Sequence, residues 1–221
     1  MRNIDGRLIM DQPEEILAPH HCAVLVIDMQ NDFVSSDGSI AAAGNDVTHI
    51  QAITEPLVGF LNVARVTGVL CVHIQTLTLA GHRSDSDAWL YNKYKGVGGD
   101  FCLEGTWGAE IIEECRPLPG EPVVTKHRSS AFVNTRLNQL LVANSIRTVI
   151  VTGEQTPGCV EATYRDAAYY DYYNVLVSDC VAAYRQDLHE ASLLIQRARH
   201  DVYEAKEITD VWASLGGPER A

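Results

Sequence analysis

The sequence predicts an α/β protein, a three-layer α/β/α sandwich around a six-stranded, mainly parallel sheet, within one domain over 1–221. Two observations carry this. Apolar, β-branched runs of strand length alternate with amphipathic segments of helical period along most of the 221 residues. That length also suits an α/β chain with one full core.

Taken in order, residues 1–20 read as an N-terminal arm. CAVLVID (22–28) is the first strand, and a helical pattern follows over roughly 47–66. GVLCVHI (68–74) is the second strand. The stretch 75–121 then breaks the rhythm: rich in Gly, Pro and charge, with one short helix around 107–115, it reads as an active-site insertion. PVVTK (122–126), RTVIVTG (147–153), NVLVSD (174–179) and HDVYEA (200–205) are the remaining strands. Helical spacing occupies 134–144, 159–172 and 187–199, with a last short helix near 208–215.

Composition excludes several classes. Acidic residues number 29 against 17 basic ones, a formal charge of -12, and no Lys/Arg stripe stands ready for phosphates, so nucleic acid is no expected partner. No apolar run approaches the roughly 20 residues that span a bilayer, and no apolar core follows a basic start. No membrane contact is expected, and the location expected is cytoplasmic. The six cysteines show no paired C-x-x-C spacing and read as reduced thiols. Cys22, Cys71 and Cys180, in or beside apolar runs, behave as small hydrophobes.

Parallel sheets of this kind bind ligands beyond the carboxyl ends of their strands. Asp28 closes the first strand, Lys126 closes the third, and Cys159 follows the fourth by a short loop, so the three meet on one rim. A Cys at a helix start is favoured as thiolate by the macrodipole and nearby N–H donors. A Lys⁺ beside it adds to that, and an Asp accepts the thiol proton and returns it to a leaving amine. Singly, each has an ordinary use: a strand-end Asp caps a turn, a Lys lies solvated, a Cys packs. Together they are the parts of a thiol hydrolase.

VLVIDMQNDF (24–33), VVTKHRSSAFVNTRL (123–137) and VIVTGEQTPGCVEATYRDA (149–167) resemble the three signature segments of the isochorismatase-like cysteine hydrolases. That superfamily includes nicotinamidases, N-carbamoylsarcosine amidases, and ureidoacrylate and biuret hydrolases. The resemblance runs from about residue 20 to 205. It implies a catalytic triad of Asp28, Lys126 and Cys159. It also implies a cis peptide between Glu154 and Gln155, which turns the Gln155 N–H toward the Cys159 N–H so that both donate to a tetrahedral oxyanion. Pro157 and Gly158 depart from the commoner form of this loop, but neither is an implied oxyanion donor.

Nicotinamidases hold a metal through an Asp-x-His motif, which VHIQTLTLAGHRSDSD (72–87) lacks. His73, His82 and Asp85 fit no familiar ligand spacing, so no metal and no cofactor is expected. KHRSSAFVNTRL is closest to the carbamoylsarcosine and ureidoacrylate branches. The substrate this implies is a small amide or ureido molecule, above all an N-carbamoyl acid, cleaved at a linear C–N bond through a covalent thioester-type intermediate with release of ammonia. Its carboxylate asks for a guanidinium, with Arg185 first in line and Arg128 and Arg199 behind it. Phe33, Trp107, Phe132 and Tyr184 are candidate pocket walls. Left open are a biuret- or nicotinamide-type amidase, vinyl ether hydrolysis of the isochorismatase type, and a non-enzymatic binding protein. The tyrosine-rich run DAAYYDYYNV (166–175) points to a homo-oligomer, a dimer or tetramer.

Overall fold

The structure, a computed structural model, describes residues 1–97 and 99–216. The N-terminal arm is not featureless: β1 (Arg2–Ile4) and β2 (Arg7–Ile9) pair antiparallel across Asp5-Gly6, both at positive φ (49° and 83°), the turn that Asp-Gly favours. The six remaining strands are β3 (Cys22–Ile27), β4 (Leu70–Thr76), β5 (Val123–Lys126), β6 (Thr148–Glu154), β7 (Tyr173–Ala182) and β8 (Asp201–Tyr203). They form one sheet in the order β5-β4-β3-β6-β7-β8, and every pairing is parallel.

Helices cover both faces. Four short ones, α1 (Pro13–Ile16), α2 (Asn31–Val34), α3 (Ser39–Ala42) and α4 (Thr48–Ala52), precede α5 (Thr54–Thr67). The single helix expected over 47–66 divides at Ile53 because Pro56, in the first turn of α5, has no N–H to give Ala52. Downstream lie α6 (Asp87–Val97), α7 (Leu137–Ala143), α8 (Glu161–Tyr169), α9 (Gln186–Arg197) and α10 (Ala205–Ser214). Val24 and Val26 pack with Phe60, Leu61 and Trp212 from α5 and α10. Their neighbours Ala23, Leu25 and Ile27 pack with Leu141, Tyr164 and Leu193 from α7, α8 and α9. Side chains alternate across a strand, so a strand buried on both faces must be apolar at every position, as β3 is. Among the described residues no helix is long and apolar enough to cross a membrane.

Two expectations are corrected. Residues 107–115 form two isolated turns, Trp107–Ala109 and Glu113–Cys115, and the helix of the insertion is α6 instead. The helix expected from 159 begins at Glu161, because Thr156–Val160 makes a wider turn in which Gly158 leaves the helical region (φ -117°, ψ -108°).

Gly153 sets the exit angle of β6. It has φ +101°, the β6–β7 register shifts between Val151 and Gly153, and a Cβ there would lie 2.1 Å from the Ile27 carbonyl oxygen. That oxygen belongs to a strand paired on both sides and has nowhere to move. Gly153→Ala is therefore expected to cost about 2–6 kcal/mol, from left-handed backbone strain plus overpacking. A melting temperature unchanged from the parent would refute this.

Candidate active site

The carboxyl ends of β3, β4, β5 and β6 open onto one cavity of about 240 Å³. Asp28 follows β3 at φ +51°, a region Asp tolerates better than most residues, and its N–H donates to the Ile74 carbonyl. This kink turns the chain at the end of the strand, where the Asp28 side chain is fully buried. Gln30 braces the turn: its Nε2 donates to the carbonyls of Thr76 (2.9 Å) and Ala109 (2.7 Å), and its Oε1 accepts from Thr76 N–H (2.8 Å).

Lys126, the last residue of β5, sends a fully buried ammonium into the same place. Its Nζ lies 2.8 Å from Asp28 Oδ2 and 3.2 Å from Cys159 Sγ, and it donates to Thr76 Oγ1 at 2.7 Å. Thr76 Oγ1 donates onward to Asp28 Oδ1 at 2.9 Å. A charge buried this deeply is held only when paired and hydrogen-bonded on every side. Burial acts to lower the Lys126 pKa, but Asp28 and the Cys159 sulfur outweigh it, and the ammonium is held above its ordinary range.

Cys159 sits on the wide turn ahead of α8, partly exposed at the cavity floor, while the other five cysteines are buried. The Glu154–Gln155 peptide before it is cis. The sequence reading expected a thiolate-favouring setting, and the electrostatics differ. Desolvation pushes the thiol up, Lys126 pulls it down, and the Asp28 charge pushes it up again, so the net shift is upward.

The structure thus brings Lys126, Cys159 and Gln155 to one cavity, with Phe33 and Tyr184 in its wall and Asp28 buried against Lys126 just beneath it. It does not bring the other candidates there, Arg128 excepted. Arg185 caps α9 with its side chain 68 % exposed and pairs with Asp187, because an exposed carboxylate two residues on is its nearest partner. Phe132 is buried between Tyr170 (ring centroids 4.9 Å apart) and Tyr172 (6.1 Å) as core. Trp107 is 51 % exposed, and its carbonyl accepts from Asn31 Nδ2. Arg199 borders a separate groove with Tyr172 and His200.

Of the second-choice guanidinium groups, Arg128, which follows β5, does reach the cavity. Trp89, Lys93 and Phe101 from the insertion, and the side chain of Glu154 at the end of β6, escaped notice in the sequence. Lys93 Nζ is buried between Thr78 Oγ1 (2.8 Å), Asp100 Oδ1 (3.3 Å) and Asp85 Oδ2 (3.6 Å). The Arg128 guanidinium stacks 4.9 Å over Trp89 and donates Nη1 to the Ser84 carbonyl, with its side chain still 31 % exposed. Of the residues weighed as metal ligands, His73 pairs with Glu121 (2.9 Å) away from the cavity, and His82 contacts Asp85 and Asp100 at 3.4 Å each. Among the described residues no three His, Cys, Asp or Glu side chains converge as a metal site.

Comparison with known proteins agrees with this architecture. Residues 22–202 match the family profile described as "Isochorismatase domain". The chain is 31% identical over 202 residues to the ureidoacrylate amidohydrolase RutB of Acinetobacter baylyi, covering 85% of this chain and 82% of that one. It is 34% identical to the protein of that name from Enterobacter sp., covering 76% and 78%. Among solved structures, an isochorismatase family protein from Desulfovibrio vulgaris superposes with a TM-score of 0.76 at 30% identity, covering 87% of this chain and 98% of that one. The N-carbamoylsarcosine amidase of Thermoplasma acidophilum gives 0.67 at 27% identity, covering 83% and 96%. With a profile matched over 22–202 and relatives of this similarity, the chain belongs to the isochorismatase family.

Proposed function

We propose that the protein is a cysteine-dependent amidohydrolase acting on a small ureido acid. The observation that carries this reading is the cluster of Asp28, Lys126 and Cys159 at and just beneath the cavity floor, a base, a cation and a thiol within hydrogen-bonding reach. Relatives named ureidoacrylate amidohydrolase support the substrate class.

The chemistry runs in two halves. As the substrate carbonyl docks over the sulfur, the Cys159 S–H proton passes to the Asp28 carboxylate and the sulfur bonds to the carbonyl carbon. The Gln155 and Cys159 N–H groups receive the oxyanion, and Lys126 compensates the charge. The C–N bond breaks as Asp28 returns the proton to the departing nitrogen, leaving a thiocarbamate. Water then gives a proton to Asp28 and its oxygen to the carbonyl, and the C–S bond breaks with the proton restored to sulfur. The carbamic acid released decomposes to amine and carbon dioxide, so a ureido acid yields ammonia, carbon dioxide and an amino acid. Asp28 is thus used as base and acid in turn.

Arg128 replaces Arg185 as the candidate for the substrate carboxylate, since its guanidinium is at the cavity, 4.9 Å over the Trp89 ring. A hydrogen bond to a charged group contributes about 1.5–3 kcal/mol. Arg128→Ala should therefore raise KM for a ureido acid about 10–100-fold with little change in kcat. Ammonia release from N-carbamoyl-β-alanine tests the function directly; no release, or an unaltered KM in the Arg128 variant, would count against these assignments.

The reading retains a homo-oligomer, dimer or tetramer. Tyr169 (78 % exposed) and Tyr170 (48 %) support it, since aromatic rings left in water are enriched at subunit contacts. Sedimentation should give a mass above one chain at micromolar concentration, and a monomer would end that part.

A further inference from the structure

The chemistry above leaves one buried carboxyl unused. Glu154 is 2 % exposed, yet it lines the cavity. Tyr184 Oη donates to its Oε2 at 2.9 Å, and its Oε1 has no hydrogen-bond partner among the described residues. The groups facing it are Asp28 from the end of β3, Lys126 from β5, Cys159 from the wide turn, Cys102 from the insertion and Tyr184 beyond β7. One cation is set among two carboxyls and two thiols, and that cation is in contact with Asp28. Two carboxylates beside one ammonium, away from bulk water, would leave a buried charge uncompensated. Asp28 has the ion pair and Thr76, whereas Glu154 has a phenol only. Glu154 is the group that keeps its proton. Burial first, and then the Asp28 charge, push it well above the usual carboxylate range.

A neutral carboxyl keeps a carbonyl oxygen that accepts and gains an O–H that donates. Its place on the rim says which part of a substrate it meets. The sheet order β5-β4-β3-β6 sets Lys126, Thr76, Asp28 and Glu154 in a row. Arg128 follows Lys126, and Lys93 donates to Thr78 just beyond β4, so these cations lie on one flank of Asp28 and the Glu154–Tyr184 pair on the other. A ureido acid whose carboxylate rests at the cations directs its terminal carbamoyl –NH2 to that other flank.

Resting on the amidohydrolase reading, we infer that Glu154, positioned by Tyr184, selects the terminal –NH2 of an N-carbamoyl acid over the methyl group of the matching N-acetyl acid. The two groups have nearly the same size, so shape alone discriminates weakly. A buried acceptor facing a methyl group loses its hydrogen bond outright, which is how polar sites reject analogues lacking the donor.

Binding in a Cys159→Ala background tests this without turnover, with N-carbamoyl-β-alanine and N-acetyl-β-alanine as probes. The background protein should bind the carbamoyl probe at least about 30-fold more tightly. Adding Glu154→Leu should bring the ratio to within about threefold of unity, mainly by weakening the carbamoyl probe. Glu154→Gln supplies a carbonyl acceptor of the same shape and should keep most of the discrimination. Tyr184→Phe, which removes one hydroxyl from a side chain that stays apolar in bulk, should lower the ratio several-fold and serves if the Leu variant does not fold. The inference is overturned if the background protein binds both probes equally or binds neither, if Glu154→Leu and Tyr184→Phe leave the ratio unchanged, or if Gln loses as much as Leu. Discrimination in binding without ammonia release by the parent enzyme would sink the proposed function and leave this site standing; turnover with no dependence on Glu154 would do the reverse.

Discussion

Cys159→Ala is expected to remove ammonia release from N-carbamoyl-β-alanine almost entirely, by about six orders of magnitude in kcat, as loss of a covalent nucleophile does elsewhere. Stability should change by only about 1 kcal/mol, because the side chain is partly exposed and small. A variant turning over within tenfold of the parent would end the covalent route. Cys159→Ser should fail as completely. Burial and the Asp28 charge hold the thiol upward against the pull of Lys126, so the nucleophile is expected to form as the proton leaves for Asp28. A hydroxyl is a far weaker acid than a thiol, and the same Asp28 would have to remove its proton.

How far the amino-acid pattern reached into this site depends on the kind of neighbour each residue has. Asp28, Lys126 and Cys159 were legible because each ends or follows an apolar run, and the strand-end rule needs only the run. Glu154 stands at the end of such a run too, but a lone Glu beside Gln155 carries no mark of its burial; that follows from the left-handed Gly153 and from Tyr184 reaching back, both tertiary facts. Arg185 failed for a local reason. β7 extends to Ala182, past the predicted end at 179, so the next turn delivers Arg185 to the start of α9, where Asp187 takes the guanidinium. The insertion was the least readable part. Its helix α6 offers little apolar periodicity, and its buried group is Lys93, whose stem lies in the core while its ammonium finds Thr78 and two carboxylates.

Lys126→Met should both stop turnover and loosen the fold. Removing the ammonium leaves Asp28, fully buried, with the Thr76 hydroxyl and no cation, and breaking a buried ion pair from one side costs about 3–5 kcal/mol. For a chain of this length that lowers the melting temperature by on the order of 10 °C. The sign of the effect separates pairing from bulk, since Met nearly preserves the volume. Adding Asp28→Asn to the same protein removes the stranded charge and should recover more than half of the lost stability while activity stays absent. A Lys126→Met protein as stable as its parent would mean that the buried Asp28 carboxyl does not depend on the ammonium, and the role of Lys126 in the resting site would have to be redrawn around Thr76 and the sulfur.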